Sequence, residues 1–459
     1  MTSSSTGGEA ERVKRDALLD LTPDEDERRR LERTWREVEA RTTEALERRG
    51  VDGDVALVGS AARDTWMSGD RDVDVFILLP PGLDRDEFER LGLDVGHEVL
   101  PEGETEYAEH PYVKGTIDGF DVDLVPCYAL DSPREIRSAV DRTPFHQDYV
   151  VENAPEGFGE DVRLLKALAR SAGIYGSDLR TRGLGGYLLE LLVLHYGGFD
   201  EVVEAAADWT PPVEIEFETP EKEFEGSLVV VDPVDPGRDV ASVVSDDAVA
   251  VLQDRCREWL SQPRPALFEV ERPKPLEPSE LHAALERRGT TTAAVVFDAP
   301  DVVEDQLYPQ LRKTRAAVVE ELERRGFDVL RATSFADEHA VVYVELSVAT
   351  LPEVERHVGP PVHVRGHADE FKEKYADGDV TGPFVSGGRY VVERPRDVCS
   401  AVDFLRSRDL LRLSLGRDVE RAMERGYDVY VDGEVEGLLD EFGVELRRYY
   451  EPPPTWRPL

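Results

Sequence analysis

Residues 55–80 read VALVGSAARDTWMSGDRDVDVFILLP. A short apolar run, Val55–Val58, ends at Gly59-Ser60. A helix of one or two turns is expected over Ala61–Met67, with a break at Ser68-Gly69-Asp70. Asp72-Val73-Asp74 then leads into Val75-Phe76-Ile77-Leu78-Leu79, a run of strand formers. Residues two apart on a strand point the same way, so Asp72 and Asp74 project from one face. Carboxylates that close repel each other, and a cation is the usual compensation. Gly59 lets backbone approach a ligand closely, and Ser60 at a helix start offers donors to a phosphate. The same two acids on a plain loop-to-strand junction would simply be solvated. The Gly-Ser turn, the helix and the apolar strand at this spacing point instead to a divalent metal held beside a polyphosphate.

A second acidic strand, Phe120-Asp121-Val122-Asp123-Leu124-Val125-Pro126, alternates acid and apolar residues as a half-buried strand should. Paired beside the first, it adds a third carboxylate, and on pattern alone Asp121 and Asp123 are equally eligible because they share a face. Three carboxylates on adjacent strands can hold two Mg²⁺ ions, which suits phosphoryl or nucleotidyl transfer.

The 459 residues allow about three domains. With 97 acids against 55 Lys and Arg, the formal charge is −42, and the bases are overwhelmingly arginine. Such acidity normally argues against nucleic-acid partners. Surplus acid with little lysine, spread over the whole chain, also suits a salt-rich cytoplasm, where self-repulsion is screened; the charge is read as habitat, not substrate. Cys127, Cys256 and Cys399 form no CxxC pair, as expected of free thiols in a reducing compartment. The N-terminus has no apolar core, and no run approaches the ~18 apolar residues of a membrane span. A soluble, cytoplasmic protein is expected.

The expected fold class is α+β. Residues 1–20 read as a disordered tail and 21–143 as a catalytic domain, opened by a capping box at Thr22-Pro23-Asp24-Glu25 and a helix with the stripe Leu31, Trp35, Val38, Ala45 and Leu46. Within it Glu87–Leu93 is expected helical and Gly96–Pro101 extended. Residues 144–262 read as a central helical domain, including an intensely apolar helix at Tyr187–His195 interrupted by Glu190, a strand at Leu228–Val231 and a helix at Ser245–Ser261. Pro-rich residues 263–278 read as a linker. In 279–459 the order strand (Thr292–Phe297), helix (Gln306–Arg325), strand (Val329–Phe335), strand (Ala340–Val348) is that of a ferredoxin-like layer. A helix over Asp397–Arg425 carries Arg406, Arg408, Arg412, Arg417 and Arg421, which read either as a surface for RNA phosphates or as a helix face laced with Asp409, Asp418 and Glu420.

The segment GSAARDTWMSGDRDVDVFI resembles the signature of the polymerase-beta-like nucleotidyltransferases. Tyr107-Ala-Glu-His-Pro-Tyr-Val, Thr143-Pro-Phe-His146, Arg163-Leu-Leu-Lys166, Gly173-Ile-Tyr-Gly176 and Asp232-Pro-Val-Asp-Pro-Gly-Arg238 together resemble the archaeal, class I CCA-adding enzymes. The resemblance implies a nucleotidyltransferase head, a helical middle domain and C-terminal RNA-binding domains. It implies template-independent addition of C, C and A to a tRNA 3′ end from CTP and ATP, with a poly(A) polymerase as the nearest rival. It further implies Mg²⁺ on Asp72, Asp74 and Asp123, preferring Asp123 over Asp121. It assigns the nucleotide triphosphate to Ser60 and Arg63, further nucleotide contacts to His146, Lys166 and Tyr175, and a homodimer as the working form. Where the family often has Glu as its first metal acid, this chain has Asp72, one methylene shorter.

Arg238 suggests how bases are chosen without a template. Cytosine and adenine both show a ring-nitrogen acceptor beside an amino donor, whereas uracil and guanine show a ring N–H beside a carbonyl. Arginine, which only donates, matches the first pair and opposes the second. The competing role is an ion pair with Asp232 or Asp235.

Overall fold

The computed structural model describes residues 3–107, 109–453 and 455. The chain forms two compact units, Met1–Glu271 and Arg272–Leu459. Their boundary falls inside the stretch read as a linker, although Leu267 and Phe268 within that stretch are buried in the core of the first unit.

In place of the disordered tail expected over residues 1–20, the first unit begins with helix α1 (Ser3–Leu21). Val13 is buried, and Ala10, Ala17, Leu18 and Leu21 pack on the same core; their i, i+3, i+4 spacing is an apolar stripe hidden among charges. Lys14 pairs with Glu11 and Asp200. Met1 and Thr2 lie outside the described residues.

Helix α2 (Glu25–Arg49) is capped two residues later than expected. The Asp24 side chain accepts from the N–H groups of Asp26 and Glu27, and Glu27 accepts from the N–H of Asp24. Such a cap is worth about 1 kcal/mol. Glu27 also accepts from Ser68 Oγ and the Gly69 N–H, tying the helix start to the loop before the acidic strand.

The head is a five-stranded sheet in the order β1-β2-β5-β4-β3. Its strands are β1 (Asp54–Val58), β2 (Asp72–Leu79), β3 (Glu104–Tyr107), β4 (Pro111–Ile117) and β5 (Phe120–Tyr128). Between β1 and β2 lies the short helix α3 (Gly59–Ala62), and between β2 and β3 lies α4 (Arg85–Val99). Val73, Val75, Ile77 and Leu79 of β2, with Val122 and Leu124 of β5, form the core under α2 and α4. Helix α4 continues through Gly96, where an extended segment was expected. A Cβ at Gly96 would stand 2.5 Å from Val113 Cγ2, so this glycine serves close helix–sheet packing and does not break the helix.

The rest of this unit is α5 (Arg142–Asn153), α6 (Phe158–Ser171), α7 (Gly186–Tyr196), α8 (Phe199–Ala207), the parallel pair β6 (Val213–Glu216) and β7 (Leu228–Val231), and α9 (Asp246–Ser261). Helix α3 stops five residues short of expectation for a reason that lies in α6. Arg163 donates to the carbonyls of Asp64 (2.6 Å) and Trp66 (2.8 Å), and Lys166 donates to that of Thr65 (2.8 Å). Three successive carbonyls are thereby turned away from helical partners.

The second unit contains α10 (Pro278–Arg288), β8 (Thr291–Asp298), α11 (Glu304–Arg324), β9 (Asp328–Ala336) and β10 (His339–Val348). Then follow β11 (Val354–Pro361), α12 (Arg365–Lys374), β12 (Thr381–Ser386), β13 (Arg389–Pro395), α13 (Ala401–Arg406), α14 (Arg417–Arg425), β14 (Asp428–Val431) and α15 (Leu439–Tyr450). The larger sheet runs β14-β8-β10-β9 with every neighbour antiparallel, the ferredoxin-like order, and β11-β13-β12 form a second sheet. The helix expected over Asp397–Arg425 is broken into α13, a 3₁₀ turn at Leu410–Arg412 and α14. Its arginines therefore do not share one helix face, and Arg406, Arg412 and Arg421 pair with Glu434, Asp409 and Asp418. Among the described residues, no helix is long and apolar enough to cross a membrane.

Candidate active site

Strands β2 and β5 run parallel, in a register that sets Asp72 against Asp121 and Asp74 against Asp123. On this face each strand changes from acid to apolar along its length: Asp72 and Asp74 precede Phe76, and Asp121 and Asp123 precede Val125 and Cys127. Val58, Phe76 and Cys127 form the small apolar floor below the acids.

Gly59 lies against Asp74. Its φ is +74°, and a Cβ there would stand 2.3 Å from Asp74 Oδ2. Only glycine allows both the turn and this approach. Burial raises the Asp74 carboxyl to about 6, and Asp123 and Asp72 push in the same direction. The Asp123 carboxyl is also raised, chiefly by burial; the Lys114 ammonium, 3.2 Å from Oδ1, pulls it the other way. Asp123 Oδ1 is buried with no aligned hydrogen-bond donor.

Among the described residues, no three His, Cys, Asp or Glu side chains close into a ready-made cage. The acids nevertheless fit a small hard cation. Mg²⁺ typically takes one or two carboxylates and completes its shell with water and substrate phosphate. Mutually repelling carboxylates, one of whose buried oxygens has only the Lys114 ammonium near it, are suited to that role.

Two cationic side chains, Arg63 and Lys166, lie near Ser60 and the Gly59-Ser60 turn. Ser60 is half-buried in α3. Arg63, 8% exposed, lies with Nε 2.9 Å from Glu190 Oε2 and donates from Nη1 to Gln147 Oε1 at 3.0 Å. Glu190, at 0% exposure, accepts from Thr65 Oγ1 at 2.5 Å. Lys166, 2% exposed, donates to the Thr65 carbonyl at 2.8 Å and to Thr65 Oγ1 at 3.3 Å. Burial lowers the Lys166 ammonium to about 8 against the raising pull of Glu190. The Tyr175 hydroxyl and Lys166 converge on Gly186 at the start of α7, and Arg170 stacks over the Tyr175 ring. Burial raises the Tyr175 phenol to about 12.

A second group centres on Asp232, which is wholly buried. It interacts with His146 Nε2 at 2.8 Å and accepts from Arg238 Nη1 at 2.7 Å and the Val234 N–H at 3.0 Å. Burial works to raise its carboxyl, but these partners outweigh it and hold the group below the usual range. Burial lowers the His146 imidazole in spite of Asp232, and Tyr187 stacks on its ring at 4.1 Å. Arg238 is thus held by Asp232, while Asp235 is taken by Arg142.

Lys114, Thr65 and the role of Glu190 were not singled out from sequence. Lys114 stands directly across the ladder from Asp123, which no local pattern reveals. Glu190 did carry a signal, as an acid within an otherwise apolar helix.

Acids on paired central strands beside a glycine-serine turn define the head as a nucleotidyltransferase. A nucleotidyltransferase domain model matches residues 40–146, a tRNA nucleotidyltransferase second-domain model 160–269, and a CCA-adding enzyme C-terminal domain model 288–432. The CCA-adding enzyme of Haloarcula marismortui is 48% identical over 450 residues, covering 94% of this chain and 97% of that protein. That of Halorubrum lacusprofundi is 50% identical, covering 94% and 96%, and that of Methanosarcina barkeri 42% identical, covering 96% and 99%. The chain belongs to the CCA-adding enzymes.

Proposed function

We propose that this CCA-adding enzyme extends a tRNA 3′ end by C, C and A, using CTP and then ATP and releasing pyrophosphate, with no nucleic-acid template. Asp72, Asp74 and Asp123 are the ligands for Mg²⁺. The observation that carries the reading is Asp74 in register with Asp123 while a glycine-serine turn closes directly on its carboxylate. The cation supplies, when bound, a Lewis acid for the attacking hydroxyl and charge neutralisation on the departing phosphates.

Ser60 and Arg63 hold the triphosphate beside these acids, and Lys166, Tyr175 and His146 extend the contact. They orient the α-phosphorus so that the tRNA 3′-oxygen bonds to it as its bond to the β-phosphate oxygen breaks. Pyrophosphate leaves with that electron pair, and the hydroxyl proton passes to solvent. Transfer of this kind depends on positioning and charge more than on covalent chemistry. The exposed arginines Arg406, Arg408, Arg412, Arg417 and Arg421 offer contacts to tRNA phosphates. We place the protein in the cytoplasm, in keeping with its free cysteines, and take a homodimer as its working form.

CTP and ATP, one of them radiolabelled, with Mg²⁺ and tRNA lacking its terminal CCA, incubated in high salt, test the reading. Addition of three nucleotides and no more is the expected result; absence of incorporation overturns it, and long adenosine tails make the enzyme a polymerase.

Arg238, fixed by Asp232, is the proposed reader of the edge shared by cytosine and adenine. Arg238→Ala is expected to lose roughly 10- to 100-fold in discrimination against UTP and GTP, the usual scale for a single recognition contact. Unchanged discrimination in competition assays would leave Arg238 as an ion-pair partner only.

A further inference from the structure

Glu190 is the only acid in α7, among Leu188, Leu189, Leu191, Leu192 and Val193, all buried. A carboxylate with no exposure costs several kcal/mol of desolvation unless partners compensate it, and a leucine would suit an apolar helix better. Of its two direct partners, Arg63 is assigned to the triphosphate and Thr65 bridges to Lys166, which is assigned to it as well. Arg63 lies 2.9 Å away, and Thr65 Oγ1 donates to Glu190 while accepting from Lys166. The other charged groups acting on Lys166 are Arg63 and Arg163, of the same sign, and Asp70, of the opposite sign.

We propose that Glu190 is a positioning residue for the incoming nucleotide: paired with Arg63 directly and with Lys166 through Thr65, it fixes both cations in the place and charge state in which they meet the triphosphate. The proposal rests on the assignment of Arg63 and Lys166 to the triphosphate.

Without the Glu190 charge, Arg63 and Lys166 repel each other with only the weaker pull of Asp70 left to offset Lys166. Arg63 cannot give up its proton, so it moves or Lys166 deprotonates. Lys166 is already held near 8 by burial, with Glu190 the strongest influence keeping it charged. A cation with a lowered pKa is charged below that value and neutral above it. In the native enzyme the grip on the triphosphate therefore weakens as pH rises through about 8, and with Glu190 neutralised it weakens at lower pH.

The test uses the full chain and tRNA lacking its 3′ CCA, measuring KM for CTP, ATP and tRNA from neutral to mildly alkaline pH. Glu190→Gln is expected to raise both nucleotide KM values roughly 10- to 100-fold, the scale of loss when a positioned group drifts by an ångström. The tRNA KM stays put, and the alkaline rise in nucleotide KM moves to lower pH. Glu190→Asp keeps the charge and restores the pH profile. A Glu190→Gln enzyme with native nucleotide KM values and pH profile overturns the proposal. So does one in which nucleotide and tRNA KM values rise alike with no displaced profile, the mark of a merely structural role. Should Glu190→Gln fail to fold, Thr65→Val removes the bridging hydroxyl at constant shape; a displaced profile supports the proposal and a native one overturns it. Arg63→Ala and Lys166→Ala, measured alongside, separate the two readings. If they leave nucleotide KM unchanged, the triphosphate assignment falls. If they raise it while Glu190→Gln does not, only the role of Glu190 falls.

Discussion

Asp123→Ala is expected to lower single-turnover nucleotide incorporation by roughly a thousandfold or more, the scale on which removing a metal ligand acts, while tRNA binding by gel shift is retained. Asp123 is the register partner of Asp74, and its Oδ1 is buried without an aligned donor. Alanine also releases Lys114, whose ammonium now neutralises that acid from 3.2 Å, and leaves a cation facing the space where Asp74 needs one of its own. Asp121→Ala provides the contrast. Asp121 sits two register positions away, accepts from Thr116 Oγ1 at 3.3 Å, and lines a cavity of about 720 Å³ with Arg41, Lys114 and Thr116. Its loss is expected to leave most of the rate. Turnover retained in Asp123→Ala and lost in Asp121→Ala would move the ligand role to Asp121.

What could be read from the chain beforehand follows the range of the interactions. The acidic strands were legible because period-two alternation is a local property, and their shared face follows from it. Leu228–Val231 was recovered to the residue and the Ser245–Ser261 helix to within one residue at its start, since both signals sit within a few residues. The end of α3 was not legible, because Arg163 and Lys166 take its carbonyls from about a hundred positions away. Gly96 was read as opening an extended segment, but its partner is Val113 on a strand that sequence cannot bring near. Helix α1 was missed for another reason: charge and serine obscured a stripe whose spacing was present all along. In the site, the residue types were visible in their motifs, but the pairings that set their charge, Arg63 with Glu190 and Arg238 with Asp232, exist only in three dimensions.

Lowering KCl from molar concentration to about 0.1 M is expected to reduce the melting temperature by roughly 10–20 °C, reversibly. The formal charge of −42 makes like-charge neighbours common. Two carboxylates about 7 Å apart in water repel by about 0.6 kcal/mol before screening. With a Debye length of about 3 Å at 1 M, about a tenth of that survives; with about 10 Å at 0.1 M, about half does. Some twenty such pairs would then cost on the order of 5 kcal/mol more in dilute salt, comparable with the whole stability of a domain. The effect should begin where acids are densest and the fold is thinnest. Glu214, Glu216, Glu218, Glu221, Glu223 and Glu225 are all exposed around the four-residue strand β6, with Lys222 the only base among them. Replacing these six by glutamine should flatten the salt dependence measured by circular dichroism, with nucleotide incorporation in high salt unchanged. A native melting temperature that moves by no more than about 2 °C across the same range would show that self-repulsion does not limit this fold, and the acidic surface would need another explanation.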